Sequence, residues 1–162
     1  MNTKHTLWWG IGLTLLVIVL FGVGRFSSHS SQSTLSTRDT ALACTSDMAT
    51  QFHIHPHLQI VVNGEEHVIP GDIGITAACM HPLHTHDASG IIHVESPQKR
   101  DFTLGDFFAV WGQPFSKDQV LDSKVDATHS IRVTVNGQEV STYENTIFRD
   151  GDQIVVSYAS KP

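Results

Sequence analysis

The chain has 162 residues, of which 40% are hydrophobic, and a formal net charge of −6 with histidine neutral. This length holds one ordinary domain plus accessory segments, and the apolar content suffices for a single hydrophobic core. From Gln51 onward, 14 Asp and Glu residues outnumber seven Lys and Arg residues. Such an acidic balance argues against nucleic acid as a partner and suits cation binding.

The N-terminal part of the chain predicts a membrane anchor. A charge-free, mostly apolar stretch runs from Thr6 to Gly24, and a helix needs roughly 20 such residues to cross a bilayer. We therefore predict a cytoplasmic stub over residues 1–5 and a transmembrane anchor over residues 6–26. A cleaved signal peptide is the alternative, although no small-x-small cleavage site follows the apolar run.

The segment after the anchor, residues 27–50, is rich in Ser and Thr and predicts a flexible tether. Residues 51–162 then form a domain on the extracytoplasmic side of the cell membrane. Cys44 and Cys79 agree with that compartment, because outside the cytoplasm a pair of cysteines is usually a disulfide. Ligation of a metal by the Cys79 thiolate is the alternative.

The first of two histidine clusters lies on a predicted strand. Residues 54–62 alternate between apolar and other positions, which predicts a strand with one apolar face. The opposite face carries three histidines: His53, His55 and His57. Side chains two residues apart point the same way along a strand, so these imidazoles share a direction. A two-residue turn at Asn63-Gly64 returns the chain and puts His67 on the other face.

This hairpin has a second copy near the C-terminus. Residues 58–66 align with residues 131–139 around a shared Val-Asn-Gly turn, and residues 149–158 add a turn and a final strand. The three positions that match the first cluster are Asp126, Thr128 and Ser130. A similar hairpin therefore needs no imidazoles, which favours a chemical role for them.

The second histidine cluster lies on another predicted hairpin, with strands over residues 81–86 and 91–95. In that register His84 is opposite His93, His86 is opposite Ile91, and the three histidines share a face with Glu95. Directly opposed side chains lie about 5 Å apart at Cβ. Two opposed imidazoles can therefore share one metal ion, with bonds of about 2.0 to 2.1 Å.

The remaining elements predict a small α+β domain, mainly antiparallel sheet with one or two short helices. Thr103-Leu-Gly-Asp106 is a capping-box sequence that opens a helix from Leu104 to Trp111, and its aromatic residues are expected in the core. The Ser116-Lys-Asp-Gln119 sequence, a Ser-x-x-Gln pattern, predicts a second helical turn from Lys117 to Leu121.

The C-terminal Asp-Gly-Asp-Gln-Ile-Val-Val segment and the earlier Val-Asn-Gly-Gln turn resemble the β-grasp fold of sulfur-carrier proteins. This resemblance covers a minor part of the chain and implies a β-grasp-like sheet. It does not carry over the activity of that family, which works through a C-terminal Gly-Gly, whereas this chain ends in Ser160-Lys161-Pro162.

A longer resemblance covers most of residues 53–111. It rests on the strings His-x-His-x-His-Leu, Pro-Leu-His-Thr-His-Asp-x-Ser-Gly-Ile-Ile-His-Val-Glu-Ser-Pro and Leu-Gly-Asp-Phe-Phe-x-x-Trp-Gly. These strings resemble a family of membrane-anchored, extracytoplasmic His-rich domains of bacteria and archaea whose activity is uncharacterised. The resemblance implies a membrane protein and leaves its function to be argued from the site chemistry.

The two clusters together predict a metal site. The candidate ligands are His84, His86, His93, His53, His55, His57 and Glu95. Glu95 is a ligand, a partner that orients an imidazole, or a base that acts on bound water. All-nitrogen ligation on the oxidising side of a membrane favours copper or zinc.

We therefore predict a metal-binding domain for acquisition, storage or delivery of copper or zinc, with a membrane protein as a partner in delivery. One alternative is a metal-dependent enzyme with a three-His site and Glu95 as base. The other is a metal-free assembly or pH-responsive interaction module. The sequence favours the non-enzymatic readings, since it shows no extended substrate-binding region.

Overall fold

The computed structural model describes residues 35–46 and 50–161. Within these ranges the chain is a small α+β domain built mostly from antiparallel strands with short helices, which confirms the predicted fold class. The elements in chain order are α1 (Thr37–Leu42), β1 (Phe52–Ile54), β2 (His57–Val62), β3 (Glu65–His67), β4 (Leu83–His84), β5 (His93–Ser96), α2 (Leu104–Trp111), β6 (Phe115–Ser116), β7 (Gln119–Val120), β8 (Ser123–Lys124), β9 (His129–Val135), β10 (Gln138–Val140), a 3-10 turn (Tyr143–Asn145) and β11 (Gln153–Ser160).

The largest sheet has five strands in the order β10-β9-β11-β2-β3. The final strand, β11, lies between the two hairpins and runs parallel to β2 and antiparallel to β9. Both hairpins turn on an Asn-Gly pair with positive φ, 53° and 87° at Asn63-Gly64 and 53° and 80° at Asn136-Gly137. These angles match a type I′ turn. The internal repeat and the register that sets Ile60 opposite His67 are both confirmed.

The predicted single strand over residues 54–62 is wrong, because the chain breaks it at His55-Pro56. β1 ends at Ile54, β2 begins at His57, and the two strands belong to different sheets. Proline has no N–H to donate and restricts the residue before it, while the His55 N–H donates to Asp150 Oδ1 at 2.9 Å. The break separates His57 from the other two histidines of its cluster.

A three-stranded sheet of order β1-β5-β4 carries histidines from both clusters, with His53 in β1, His84 in β4 and His93 in β5. Val94, in the middle strand β5, is paired with Ile54 on one side and Leu83 on the other. All three side chains are buried in the core. Because side chains alternate along a strand, His93 and Glu95 project from the opposite face of this sheet.

Helix α2 covers the residues that the capping sequence predicts. The Thr103 hydroxyl accepts a hydrogen bond from the Asp106 N–H, and the Asp106 carboxylate accepts one from the Thr103 N–H. The helix ends at Gly112, whose φ of 74° lies in the left-handed region. Phe107 and Phe108 are fully buried, as expected. The helix therefore forms one wall of the hydrophobic core.

The predicted helical turn from Lys117 to Leu121 is wrong. The chain there forms a small antiparallel sheet in which Ser116 is paired with Gln119. The Ser116 hydroxyl accepts a hydrogen bond from the N–H of Asp118, two residues ahead, at 3.1 Å. The same side-chain chemistry caps helices and closes turns, so the Ser-x-x-Gln pattern predicted the wrong element.

Residues 35–46 lie within the predicted flexible tether, but they contain a helix that packs against the domain. Helix α1 buries Ala41 completely, and Arg38 Nε lies 3.0 Å from Asp106 Oδ1. Cys44 and Cys79 form a disulfide with Cα atoms 5.3 Å apart, which confirms the expected pairing and occupies the Cys79 sulfur. The compact unit begins at residue 35 rather than at residue 51.

The predicted anchor over residues 6–26 and the stub before it lie outside the described residues. In the part of the chain that the structure describes, no helix has the length and apolar character needed to cross a bilayer.

Candidate metal centre

Strand β5 brings the two histidine clusters together. On one side it pairs with β1, where His53 is opposite Glu95. On the other side it pairs with β4, where His84 is opposite His93, as the sequence predicts. The predicted pairing of His86 with Ile91 is replaced, because Ile91 forms an isolated bridge with His57. Imidazoles from both clusters therefore lie next to His93: His53 and His55 from the first, His84 and His86 from the second.

His84, His86 and His93 form a group that we call the inner triad. One ligand nitrogen from each lies within 4.8 Å of the other two, and the ring centroids are 4.9, 5.4 and 4.5 Å apart. Nitrogens that share one tetrahedral ion with bonds of about 2.05 Å lie about 3.3 Å apart. Small side-chain rotations therefore suffice to close this group around an ion.

His84 is the buried member of the inner triad, with 0% of its surface exposed. Its Nδ1 lies 3.0 Å from the carbonyl oxygen of His81, and a carbonyl can only accept, so Nδ1 carries the proton. Nε2 then holds a lone pair, and it has no hydrogen-bond partner among the described residues. A backbone carbonyl that fixes the tautomer in this way is typical of a histidine that binds a metal through its other nitrogen.

Burial keeps His84 and His93 in the form that binds cations. Desolvation lowers the pKa of His84, an effect that the hydrogen bond to His81 only partly offsets. Desolvation, followed by the neighbouring imidazoles of His86 and His55, lowers the pKa of His93 to about 4. His84 and His93 are therefore neutral at neutral pH, and a neutral imidazole offers the lone pair that a metal ion requires.

His53, His55 and His93 form a second group, which we call the outer triad. Its ligand nitrogens also lie within 4.8 Å of one another, and His53 Nε2 is 3.5 Å from His93 Nδ1. The His53 and His55 side chains are 42% and 44% exposed, in contrast to the buried His84. The five clustered imidazoles therefore extend from the core to the surface, with His93 common to both triads.

Carboxylates lie around the outer triad. Glu95 Oε1 is 3.0 Å from His53 Nε2, and Asp150 Oδ1 is 4.0 Å from His55 Nδ1. Hydrogen bonds from Ser89 lower the pKa of Asp87, which follows His86 in the chain. Negative charge next to a cluster of imidazoles favours a bound cation, and the Glu95 contact fits a partner that orients an imidazole.

The structure does not bring every candidate ligand into the site. His57 belongs to neither triad, and its Nε2 donates to the Ser89 carbonyl at 2.9 Å. His81, which is not among the candidate ligands, takes part through its backbone carbonyl, and its own Nδ1 donates to the Ala41 carbonyl at 3.2 Å.

Asp150 is the neighbour of the site that sequence reasoning missed. It is 95 residues from His55 in the chain, so no spacing signal connects the two.

Comparison with protein-family models, with curated proteins and with solved structures finds no match.

Proposed function

We propose that this protein is a membrane-anchored, extracytoplasmic domain that binds copper or zinc through the inner triad and serves in the acquisition, storage or delivery of that metal. The observation that carries the proposal is the buried Nε2 of His84. It lacks a partner in the described chain, and two further imidazoles lie within bonding reach of one ion. Leaving a buried polar atom unpaired costs about 1 to 3 kcal/mol, and a bound ion removes that cost.

The chemistry of the donor set supports copper or zinc. Imidazole nitrogen suits both ions, and the Cys79 sulfur is bonded to Cys44 instead of a metal. The disulfide supports a location outside the cytoplasm, where disulfides persist. We extend the proposal to membership of the family of His-rich, membrane-anchored domains that the sequence resembles, and to a β-grasp arrangement of the five-stranded sheet, which the central parallel pair β2-β11 supports.

The test is metal content and affinity of the protein purified without an affinity tag. We expect one equivalent of Cu²⁺ or Zn²⁺ after dialysis, and loss of binding in the His84→Ala, His86→Ala double variant. His57→Gln is the matched control, because His57 lies in the same stretch of chain as the first cluster and belongs to neither triad. Failure of the wild-type protein to take up either ion would refute the proposal and favour a metal-free interaction module.

A metal-dependent enzyme with Glu95 as base is the second candidate. Three histidines leave a fourth position for water on a tetrahedral ion, which lowers the pKa of that water to about 7 in catalytic sites. The contact of Glu95 with His53 favours the orienting role over the basic one. Exchangeable water on bound Cu²⁺, measured by electron-nuclear double resonance, would favour the enzyme, whereas coordination saturated by protein nitrogens would favour storage or delivery.

A further inference from the structure

We propose that the outer triad is an exchange position through which the metal ion enters and leaves the inner triad, with His93 as the ligand common to both. This inference rests on the proposed function and specifies how the site is loaded. It would make the outer triad a kinetic element of delivery rather than a second storage site.

The difference in exposure between the triads is the first argument. His84 is fully buried, so an ion bound next to it cannot be reached directly from solvent on that side. His53 and His55 are more than two-fifths exposed, and their nitrogens reach the same His93. His86, another member of the inner triad, is exposed as well, so the outer triad offers two exposed imidazoles and the inner triad offers one. An ion that arrives from solvent therefore meets more accessible ligands at the outer triad.

The chemistry of His93 is the second argument. A neutral imidazole has one N–H and one unprotonated nitrogen, so it supplies a single lone pair at a time. His93 belongs to both groups, and His53 Nε2 lies 3.5 Å from its Nδ1. Occupation of one triad therefore withdraws His93 from the other, and the two positions serve one ion in turn.

The carboxylates are the third argument. Glu95 and Asp150 approach the exposed histidines, at 3.0 Å from His53 and 4.0 Å from His55. Acidic groups at an exposed site attract cations from solution and raise the rate of association. Both contacts are made to histidines that belong to the outer triad and not to the inner triad, so their position supports a role in capture.

The test is the rate of Zn²⁺ transfer between the full-length protein and a colorimetric chelator, followed by stopped flow in both directions. In His55→Gln we expect both the uptake and the release of Zn²⁺ to slow by about tenfold, with affinity unchanged. A residue on the pathway changes both rates equally, whereas a permanent ligand changes the affinity. The substitution keeps the backbone N–H that donates to Asp150, and His57→Gln is the control with unchanged rates.

His53→Gln is a second variant and should show the same paired slowing. Unchanged rates in both variants would overturn the inference, and so would faster release with weaker affinity, since that identifies a permanent ligand. Binding of two equivalents by the wild-type protein would also overturn it. In each of these outcomes the metal is still bound, so the proposed function survives, whereas absence of any Zn²⁺ or Cu²⁺ binding removes both proposals.

Discussion

Replacing His84 with phenylalanine should affect stability differently with and without metal. Without metal the variant should match or exceed the wild-type protein in stability, and with metal the wild-type protein should be the more stable of the two. The wild-type side chain is fully buried, and its Nε2 has no hydrogen-bond partner within residues 35–46 and 50–161, at a cost of about 1 to 3 kcal/mol. His84→Phe removes that atom and loses the bond from Nδ1 to His81, which contributes about 0.5 to 1.5 kcal/mol. The stability of the metal-free variant should therefore lie between about 0.5 kcal/mol below and about 2.5 kcal/mol above that of the wild type.

Metal changes this comparison. A ligand present at 100 times its Kd stabilises the folded state by about 2.7 kcal/mol, and the variant loses a ligand of the inner triad. We expect the wild-type protein to be the more stable one in Zn²⁺ or Cu²⁺, because the variant gains little from either ion. Urea unfolding followed by circular dichroism, with and without chelator, measures all four free energies of unfolding.

The control for this experiment is His57→Phe. The Nε2 of His57 already donates to the Ser89 carbonyl, so its replacement relieves no unpaired atom and should lower stability while the metal-induced gain is retained. The reasoning is refuted if metal-free His84→Phe is less stable than wild type by more than about 1 kcal/mol, the opposite sign to the one expected from the unpaired nitrogen. It is equally refuted if the variant keeps the full stabilisation by metal.

Three further predictions concern pH, the carboxylate and the disulfide. The metal-free protein should lose stability as the pH falls from 6.5 towards about 4. In that window His93 binds a proton in the unfolded chain but not in the folded protein, where its pKa is lowered. Urea unfolding measures the free energy across this range, and a flat pH profile would contradict the argument. Glu95→Gln should change metal affinity by less than about tenfold with the apo fold retained, because Glu95 contacts His53, which lies outside the inner triad. Competition with a chelator measures the affinity, and a loss of about 10- to 100-fold would show that His53 or Glu95 is a permanent part of the binding site. The Cys44→Ser, Cys79→Ser variant should lose about 4 kcal/mol of unfolding free energy, as expected for a disulfide that spans 35 residues. It should still bind the same number of metal ions per protein, and loss of one bound ion would indicate a sulfur ligand.

Much of the candidate site follows from local patterns in the sequence. The turn chemistry of residues 87–90 predicts a hairpin that sets His84 opposite His93, and this pairing is confirmed. Likewise, the Asn-Gly turns and the Thr103 capping box predict their elements correctly. Turn and cap preferences act over a few residues, so a sequence can specify them without knowledge of the rest of the fold.

The tertiary structure decided which histidines meet. Spacing alone grouped His57 with His53 and His55, but the break at Pro56 sends His57 into another sheet. The pairing of His53 with Glu95 joins residues more than 40 positions apart, and the contact of Asp150 with His55 spans 95. The sequence by itself thus determined the hairpins, the capped helix and the imidazole-rich strands. Only the packing of distant segments placed the buried His84 and the exposed His53 next to the same histidine, His93. Strand partners and burial depend on contacts between distant residues, which no local sequence pattern contains.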